Sequence, residues 1–315
     1  MKFTRFTLLF TVCALLLTAC ADNAVQTDVS DAFTTEAPTT VTQTENFITD
    51  AVTEDVSADT SAQDTFLQFD SDQFKQMIYE VYSRPLPAGS TELSNINDLA
   101  FMCTASAIRG NVGPIGIVRA EFTADGNTED VYIITLGGTE FKDGQATDVK
   151  TDILVGLGKS NDYLDAIINT INSQIPENSK LFITGISLGG MVAQQVISDP
   201  DICKNYKIVN TVCIGSPLII NENSKLREGK VIRIEDYYDF VPKLSIYTLN
   251  LTVMGKYSHE KITEKSEYTQ PLYAHAFSYV DSAVWQKYDV AGTENGDSTL
   301  RFDADNITYY DAPIQ

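Results

Sequence analysis

Residues 181–192 read Leu-Phe-Ile-Thr-Gly-Ile-Ser-Leu-Gly-Gly-Met-Val, and this stretch decides the fold class. An apolar strand pattern leads into G-x-S-x-G at 185–189, and a helix pattern follows over 188–198, before Pro200. This arrangement is typical of a sharp strand-to-helix turn with a strained backbone at the serine. Side chains at the flanking positions would collide with the neighbouring strand and helix, so glycine is needed on both sides. The stretch therefore predicts a turn that presents Ser187 at the C-terminal edge of a sheet.

Strand and helix patterns alternate around this turn, from about residue 130 to residue 235. Strands are predicted at 112–123, 130–136, 181–184, 208–214 and 231–234, and helices from 74 to the Arg84-Pro85 pair, at 164–175 and at 188–198. The Asp125-Gly126 pair between the first two strands is a hairpin turn signal. The pattern favours an α/β fold with a mainly parallel central sheet flanked by helices and an antiparallel hairpin on one side.

A serine hydroxyl is a poor nucleophile until a base, usually a histidine oriented by a carboxylate, takes its proton. The chain has only two histidines, His259 and His275, and both follow Ser187 in the sequence. The order serine, acid, histidine that such elbows use allows either of them. His275 has apolar neighbours, which suit a neutral imidazole, whereas the surroundings of His259 predict an exposed side chain.

Four blocks of this sequence resemble, in order, motifs of the lipase class 3, or fungal-lipase-like, family of α/β hydrolases. They are 133–139 (strand and R-G-T), 185–190 (G-H-S-L-G-G), 213–217 (F-G-S-P) and 231–242 (V-x-R-x-x-N-x-x-D-x-V-P). Each block is weak alone, but their order and spacing make the set specific, and together they extend over roughly 130–280. The resemblance implies an α/β-hydrolase-like fold and the hydrolysis of carboxylic esters by a serine, an aspartate and a histidine.

The resemblance also implies which residues complete the site around Ser187. It implies Asp239 as the acid, and Asp239 follows a predicted buried strand, so it lies at the same sheet edge; Glu235 and Asp236 are rival acids. It implies a histidine followed four residues later by an aromatic residue, which fits His275 and Tyr279.

An oxyanion hole is implied as well. Its donors are the backbone N–H of Leu188, directly after the nucleophile, and that of Thr139, whose position matches the family's first oxyanion residue. The alternative is that Gly137 and Gly138 simply end a strand and that no oxyanion donor follows them. The implied chemistry needs neither a metal nor an organic cofactor.

Two positions depart from the family pattern. Gly137 stands where the usual arginine precedes the Gly-Thr pair, and Ile186 stands where a histidine precedes the nucleophile. Neither is a member of the triad, so the chemistry is retained, but the resemblance does not extend to the local packing or to a substrate preference within the family. The segment 140–158 stands where these lipases have a lid; it is short and partly polar, so a large lid is not predicted.

The N-terminus predicts export and anchoring. Residues 1–20 combine Lys2 and Arg5 with an apolar run too short for a permanent membrane helix. The run ends at Leu17-Thr18-Ala19-Cys20, which resembles the bacterial lipobox and implies lipidation of Cys20, whereas the alternative is an ordinary secretory signal. Residues 21–65 predict a disordered acidic, Thr/Ser-rich tether, and residues 66–315 the catalytic domain. The protein is thus expected outside the cytoplasm, lipid-anchored to a bacterial cell membrane.

Charge and cysteine content limit the possible partners. The net charge is −21, and no basic cluster is present, so nucleic-acid binding is not expected. The three cysteines beyond the N-terminal segment, Cys103, Cys203 and Cys213, lack the spacing of a metal site or a disulfide framework. The expected partners are an ester substrate, with lipids among the candidates, and the membrane through Cys20. The sequence carries no signal for an oligomeric state.

Three alternatives to an ester hydrolase stay open at this point. A peptidase or a thioesterase would use the same triad. A catalytically inactive envelope lipoprotein would bind a ligand in the cleft of the same fold, and an acidic adhesin would not need Ser187 at all.

Overall fold

The computed structural model describes residues 71–105, 113–138, 162–218, 229–244 and 259–312, all within one compact unit, Ala58–Gln315. The signal segment, Cys20 and the tether predicted over 1–65 lie outside the described residues. Thr139 and the segment 140–158 lie outside them as well. These assignments therefore stay predictions.

Nine strands and six main helices make up the described chain. The strands are β1 (Ser90–Leu93), β2 (Ile115–Ala124), β3 (Asn127–Leu136), β4 (Lys180–Ile186), β5 (Lys207–Ile214), β6 (Lys230–Asp236), β7 (His259–Glu264), β8 (Thr299–Asp303) and β9 (Thr308–Tyr310). The helices are α1 (Ser71–Tyr82), α2 (Ile96–Cys103), α3 (162–174), α4 (Leu188–Val196), α5 (Pro200–Asn205) and α6 (271–281). Short 3₁₀ turns occur at Val241–Leu244, Ala283–Trp285 and Ala304–Asn306.

All nine strands form one sheet in the order β1-β8-β2-β3-β4-β5-β6-β7, with β9 paired to β2. The five strands from β3 to β7 run parallel, and the strands on the β2 side pair antiparallel. The turn of the predicted hairpin is confirmed, because β2 and β3 pair through Ala124 and Asn127 with positive φ at Asp125 and Gly126. The α/β-hydrolase-like fold class predicted from the sequence is correct.

Both faces of the central parallel strands β4, β5 and β6 are largely buried, because helices pack on each face. Along β4, Phe182 and Ile186 pack into the core that contains α1, α2 and α6. Leu181 and Ile183 point to the other face, where α3, α4 and α5 pack. Strands covered on both faces read as continuous apolar runs, which is why the sequence pattern located them. No helix of the described chain is both long and apolar enough to cross a membrane.

The elements that the sequence pattern missed are short or lie far from the elbow. Helix α2 has only eight residues, of which seven are buried. Its sequence therefore lacks the alternation of apolar and polar faces by which an amphipathic helix is recognised. Strands β1, β8 and β9 have three to five residues and lie at the antiparallel end of the sheet. Strand β7 extends the parallel part of the sheet beyond β6.

Candidate active site

Ser187 occupies the turn between β4 and α4 in a backbone conformation that L-amino acids rarely adopt. Its φ is 54° and its ψ is −121°, and its N–H donates to the carbonyl oxygen of Ile214 at 2.8 Å. Such strain persists only where the surroundings hold the residue on several sides, and it is concentrated at functional sites. The side chain is buried, with 6% of its surface exposed. The sharp turn predicted from G-x-S-x-G is present.

The glycines around Ser187 are needed for close approach of backbones. A Cβ on Gly185 would lie 2.4 Å from the backbone of Gly189, where strand and helix meet. A Cβ on Gly189 would lie 2.2 Å from the carbonyl oxygen of Leu136, at the end of β3. A Cβ on Gly190 would lie 2.9 Å from the side chain of Ser216. The elbow is therefore wedged between the ends of β3 and β5, with no space for side chains at these positions.

Ser187, His275 and Asp239 form one hydrogen-bonded row at the C-terminal edge of the parallel strands. The Nε2 atom of His275 lies 3.0 Å from the Oγ of Ser187, and its Nδ1 lies 2.9 Å from Oδ2 of Asp239. A neutral ring with its proton on Nδ1 donates to the carboxylate and leaves Nε2 to accept from the serine hydroxyl. Asp239 is fully buried and His275 is 5% exposed. The arrangement can carry a proton from a serine oxygen to an imidazole nitrogen.

The carboxylate of Asp239 is held by two further donors. The backbone N–H of Val241 donates to Oδ1 at 2.8 Å, and the hydroxyl of Tyr279 donates to Oδ2 at 2.7 Å. The same tyrosine oxygen accepts the backbone N–H of Asp236 at 2.9 Å. Burial, followed by the charge of Asp239, raises the pKa of Tyr279 well above its usual value, so the hydroxyl keeps the proton that it donates. The ring stacks on Trp285 with centroids 5.6 Å apart.

The rival acids make other contacts. Glu235 forms ion pairs with buried Arg233 and, at 2.6 Å, with Lys261. Asp236 accepts the backbone N–H of Tyr238 at 2.8 Å. Neither carboxylate contacts the imidazole of His275. The backbone of His259 forms the start of β7, and its side chain lies outside the described part of the chain.

His275 lies in a π-helical turn, Ala274–Ser278, inside α6. Single π turns are rare in helices and occur often at functional sites. Sequence reasoning selected His275 and Tyr279 but gave no sign of this turn, because apolar residues fill almost every position of the segment. Both side chains reach the same oxygen of Asp239, so the turn sets the positions of two of its three hydrogen-bond donors.

Two described residues at the expected oxyanion hole, Leu188 and Gly138, lie beside the nucleophile. Leu188 is the first residue of α4, where backbone N–H groups have no acceptor inside the helix. A Cβ on Gly138 would lie 2.9 Å from the Cβ of Ser187, so the chain leading to Thr139 passes directly against the elbow. The hydroxyl of Tyr163 on α3 donates to the carbonyl oxygen of Gly137 at 3.1 Å and fixes this end of β3.

The described residues also contain side chains of the types that bind metals or act as thiol nucleophiles. No group of three or more His, Cys, Asp or Glu side chains there has an arrangement that could hold a metal ion. Cys103, Cys203 and Cys213 are not joined in disulfide bonds. Burial raises the pKa of Cys103 to about 12, so its thiol is protonated at neutral pH and is a poor nucleophile.

A protein-family model, PGAP1-like alpha/beta domain, matches residues 153–232. The matched segment contains Ser187, α4 and β5, and it ends before Asp239 and His275. This is a family of the α/β-hydrolase type, in agreement with the sheet order and the elbow. The match covers less than half of the chain and is not to the lipase class 3 family, so membership in that family stays a prediction.

Two hydrolases are among the solved structures that resemble this chain. An esterase of Pyrococcus furiosus aligns at 12% identity over 51% of this chain and 83% of its own, with a TM-score of 0.28. A lipase of Rhizopus microsporus var. chinensis aligns at 19% identity over 52% of this chain and 75% of its own, with a TM-score of 0.27. These alignments are too partial to carry an inference about activity. No curated protein matches the chain.

Replacing Gly189 with alanine should be far more destabilising than the same change at Gly126. The methyl group of Gly189→Ala would overlap the carbonyl oxygen of Leu136, which cannot move without displacing β3. We expect a loss of about 3 kcal/mol or more in the free energy of unfolding, measured by urea denaturation. Gly126→Ala has open space around its Cβ, and its positive φ should cost about 1–2 kcal/mol. Equal losses in the two variants would contradict this account of the elbow.

Tyr279→Phe should lower both stability and the rate of any reaction that uses Asp239. The variant removes a donor from the buried carboxylate and leaves the N–H of Asp236 without its acceptor. We expect a loss of about 1–3 kcal/mol in the free energy of unfolding and a fall of about tenfold in kcat. The control is Tyr237→Phe, because Tyr237 is exposed and its hydroxyl does not contact Asp239. A Tyr279→Phe variant that matched this control would remove the role assigned to the hydroxyl.

Proposed function

We propose that the protein hydrolyses carboxylic esters with Ser187 as its nucleophile. The observation that carries the proposal is the row of Ser187, His275 and Asp239, with 3.0 Å and 2.9 Å between the interacting atoms, on a strained elbow. A structural serine needs neither a positive φ nor a buried histidine and carboxylate behind it. The resemblance of the four sequence blocks to lipase class 3 motifs favours esters as the substrate class.

The reaction begins with proton transfer from the serine hydroxyl. Nε2 of His275 accepts the proton of Ser187 while Oγ attacks the ester carbonyl carbon. The resulting imidazolium is stabilised by the carboxylate of Asp239 and gives its proton to the leaving alcohol oxygen. Water then attacks the acyl-enzyme with the same histidine as base and releases the acid. The donors from Val241 and Tyr279 keep the carboxylate aimed at Nδ1 throughout.

The negative charge on the carbonyl oxygen needs its own donors. The proposal assigns these to the backbone N–H groups of Leu188 and Thr139, and the N-terminus of α4 adds a favourable dipole. The close approach of Gly138 to Ser187 supports the second assignment. One such donor typically contributes about 3–4 kcal/mol to the transition state.

We also propose that the enzyme lies outside the cytoplasm and is anchored to the membrane by a lipid on Cys20. The support is the order of positive residues, apolar run and cysteine over 1–20. The acidic segment 21–65 would then act as a tether between the membrane and the catalytic domain. An anchored esterase of this kind acts on substrates that reach it at the cell envelope.

Ser187→Ala should abolish turnover of nitrophenyl esters without affecting folding. We expect kcat to fall on the order of 10⁴-fold or more, because the hydroxyl forms the covalent intermediate. A fluorophosphonate probe should label the wild type at Ser187, as read by peptide mass spectrometry, and should not label the variant. The matched control is Ser198→Ala, which removes another buried hydroxyl just beyond the end of α4 and should keep full turnover.

Other results of the same experiment would point to the alternatives. A folded wild type that takes no label and cleaves no ester would be a binding lipoprotein on a hydrolase fold. Faster cleavage of amides or thioesters than of matched esters would indicate a peptidase or a thioesterase. Either result would overturn the ester assignment.

Cys20→Ser should release the protein from the membrane of a bacterial expression host. The wild type should sediment with membranes and incorporate labelled palmitate, since acylation needs the thiol of Cys20. Cys13→Ser is the matched control, because it alters a cysteine inside the apolar run and keeps the predicted attachment site. Wild-type protein without the label would favour the ordinary secretory signal.

A further inference from the structure

Helix α6 carries His275 on a turn that an isolated helix would not keep. The π-helical turn Ala274–Ser278 is flanked by two α-helical segments of three residues each. Segments this short contribute little stability of their own, and most of the stability of helices in proteins comes from tertiary packing. The position of the imidazole therefore depends on contacts from outside α6.

Side chains of α1 and the residues after it make part of these contacts. The hydroxyl of Tyr82 donates to the carbonyl oxygen of Ala276, the residue after the histidine, at 2.5 Å. The guanidinium of Arg84 donates to the carbonyl oxygen of Val280 at 2.8 Å. The ring of Phe74 packs against Phe277, with centroids 5.2 Å apart. The contact at Ala276 falls inside the π-helical turn itself.

Helix α2 supplies a third donor. Nδ2 of Asn97 donates to the carbonyl oxygen of Tyr279 at 2.9 Å and to that of Ser282 at 3.1 Å. Side chains of α1, of the residues after it and of α2 thus satisfy carbonyl oxygens at 276, 279 and 280, beside the two residues that bind Asp239. Both helices precede the segment 153–232 that the family model matches.

We propose that Tyr82 is a positioning residue for His275, so that the reactivity of Ser187 depends on α1. This inference rests on the proposed function for its kinetic consequences. Tyr82 contacts neither Ser187 nor the imidazole, and it acts through the carbonyl oxygen of Ala276. Burial raises the pKa of its hydroxyl, which therefore stays protonated and can serve as a donor. Without that donor the π-helical turn loses its direct hydrogen bond to α1, and only the other contacts of α6 and the bond to Asp239 hold the imidazole 3.0 Å from the serine oxygen.

Tyr82→Phe in the full-length protein tests this role with the smallest possible change. We expect kcat for a nitrophenyl ester to fall about tenfold while KM stays within about twofold, because misplacing a catalytic group affects the reaction more than binding. Tyr79→Phe is the matched control: it is the same substitution on the same helix at a residue that is 72% exposed. Its kcat should equal that of the wild type.

A second measurement reports on the imidazole without any turnover. The chain has two histidines, so a His259→Gln variant assigns the ring signals in proton NMR spectra. The Nδ1 proton of His275 should appear far downfield in the wild type, because it is held against a carboxylate. This signal should shift or broaden in Tyr82→Phe and stay unchanged in Tyr79→Phe.

The two measurements separate this inference from the proposed function. A wild type that cleaves no ester, with a signal that changes only in Tyr82→Phe, would overturn the proposed function and leave the positioning role intact. Lower stability of Tyr82→Phe with kcat and the downfield signal both unchanged would show a purely structural role and overturn the inference. Should Tyr82→Phe fail to fold, Arg84→Met removes the donor to Val280, and the same NMR signal decides the outcome.

Discussion

The rest of the site depends on one backbone constraint, the positive φ of Ser187 at the end of β4. The chain can turn this sharply only because strand, helix and the ends of two neighbouring strands approach without side chains between them. A Cβ on Gly185 would collide with the backbone of Gly189, a Cβ on Gly189 would collide with the backbone at the end of β3, and Gly190 lies against Ser216, just after β5. The same close packing brings Gly138 against the nucleophile from the β3 side. The close packing holds the strained backbone of Ser187 in place, and its hydroxyl lies 3.0 Å from Nε2 of His275.

The second requirement is a buried carboxylate held in place beside His275. Removing a carboxylate from water is costly unless hydrogen bonds replace its hydration. Asp239 obtains three such bonds, from Val241 in its own turn and from His275 and Tyr279 on α6. Two of the three donors thus come from a helix with a π-helical turn, so the geometry of the acid and that of the base are set together. This explains why contacts that hold α6, although far along the sequence from Ser187, bear on the chemistry.

The sequence predicted those parts of the site that follow from local pattern. The G-x-S-x-G stretch, the buried strands and the Asp125-Gly126 turn each depend on neighbouring residues, and each was located correctly. The π-helical turn was not predictable, because no local signal distinguishes it from an ordinary buried helix. The same holds for Tyr82 and Asn97, which contact α6 from more than 180 residues away in the chain. Contacts of this kind depend on how elements pack, and the spacing of apolar residues carries no information about them.

Strand β6 contacts the elbow through Arg233 and leads directly to the acid Asp239. The short distance along the chain between these two residues therefore has a structural role. Buried Arg233 donates to the carbonyl oxygen of Ser216 at 3.1 Å, and Ser216 is the residue against which Gly190 of the elbow packs. Burial lowers the pKa of Arg233, and the charge of Glu235 opposes this, so the pair keeps the guanidinium charged inside the protein. Six residues later the same chain delivers Asp239 to His275. The hydrogen bond from Arg233 therefore holds β6 against Ser216, next to the elbow. Because Asp239 follows β6 closely, the same bond helps to fix the position of Asp239 relative to Ser187 and His275.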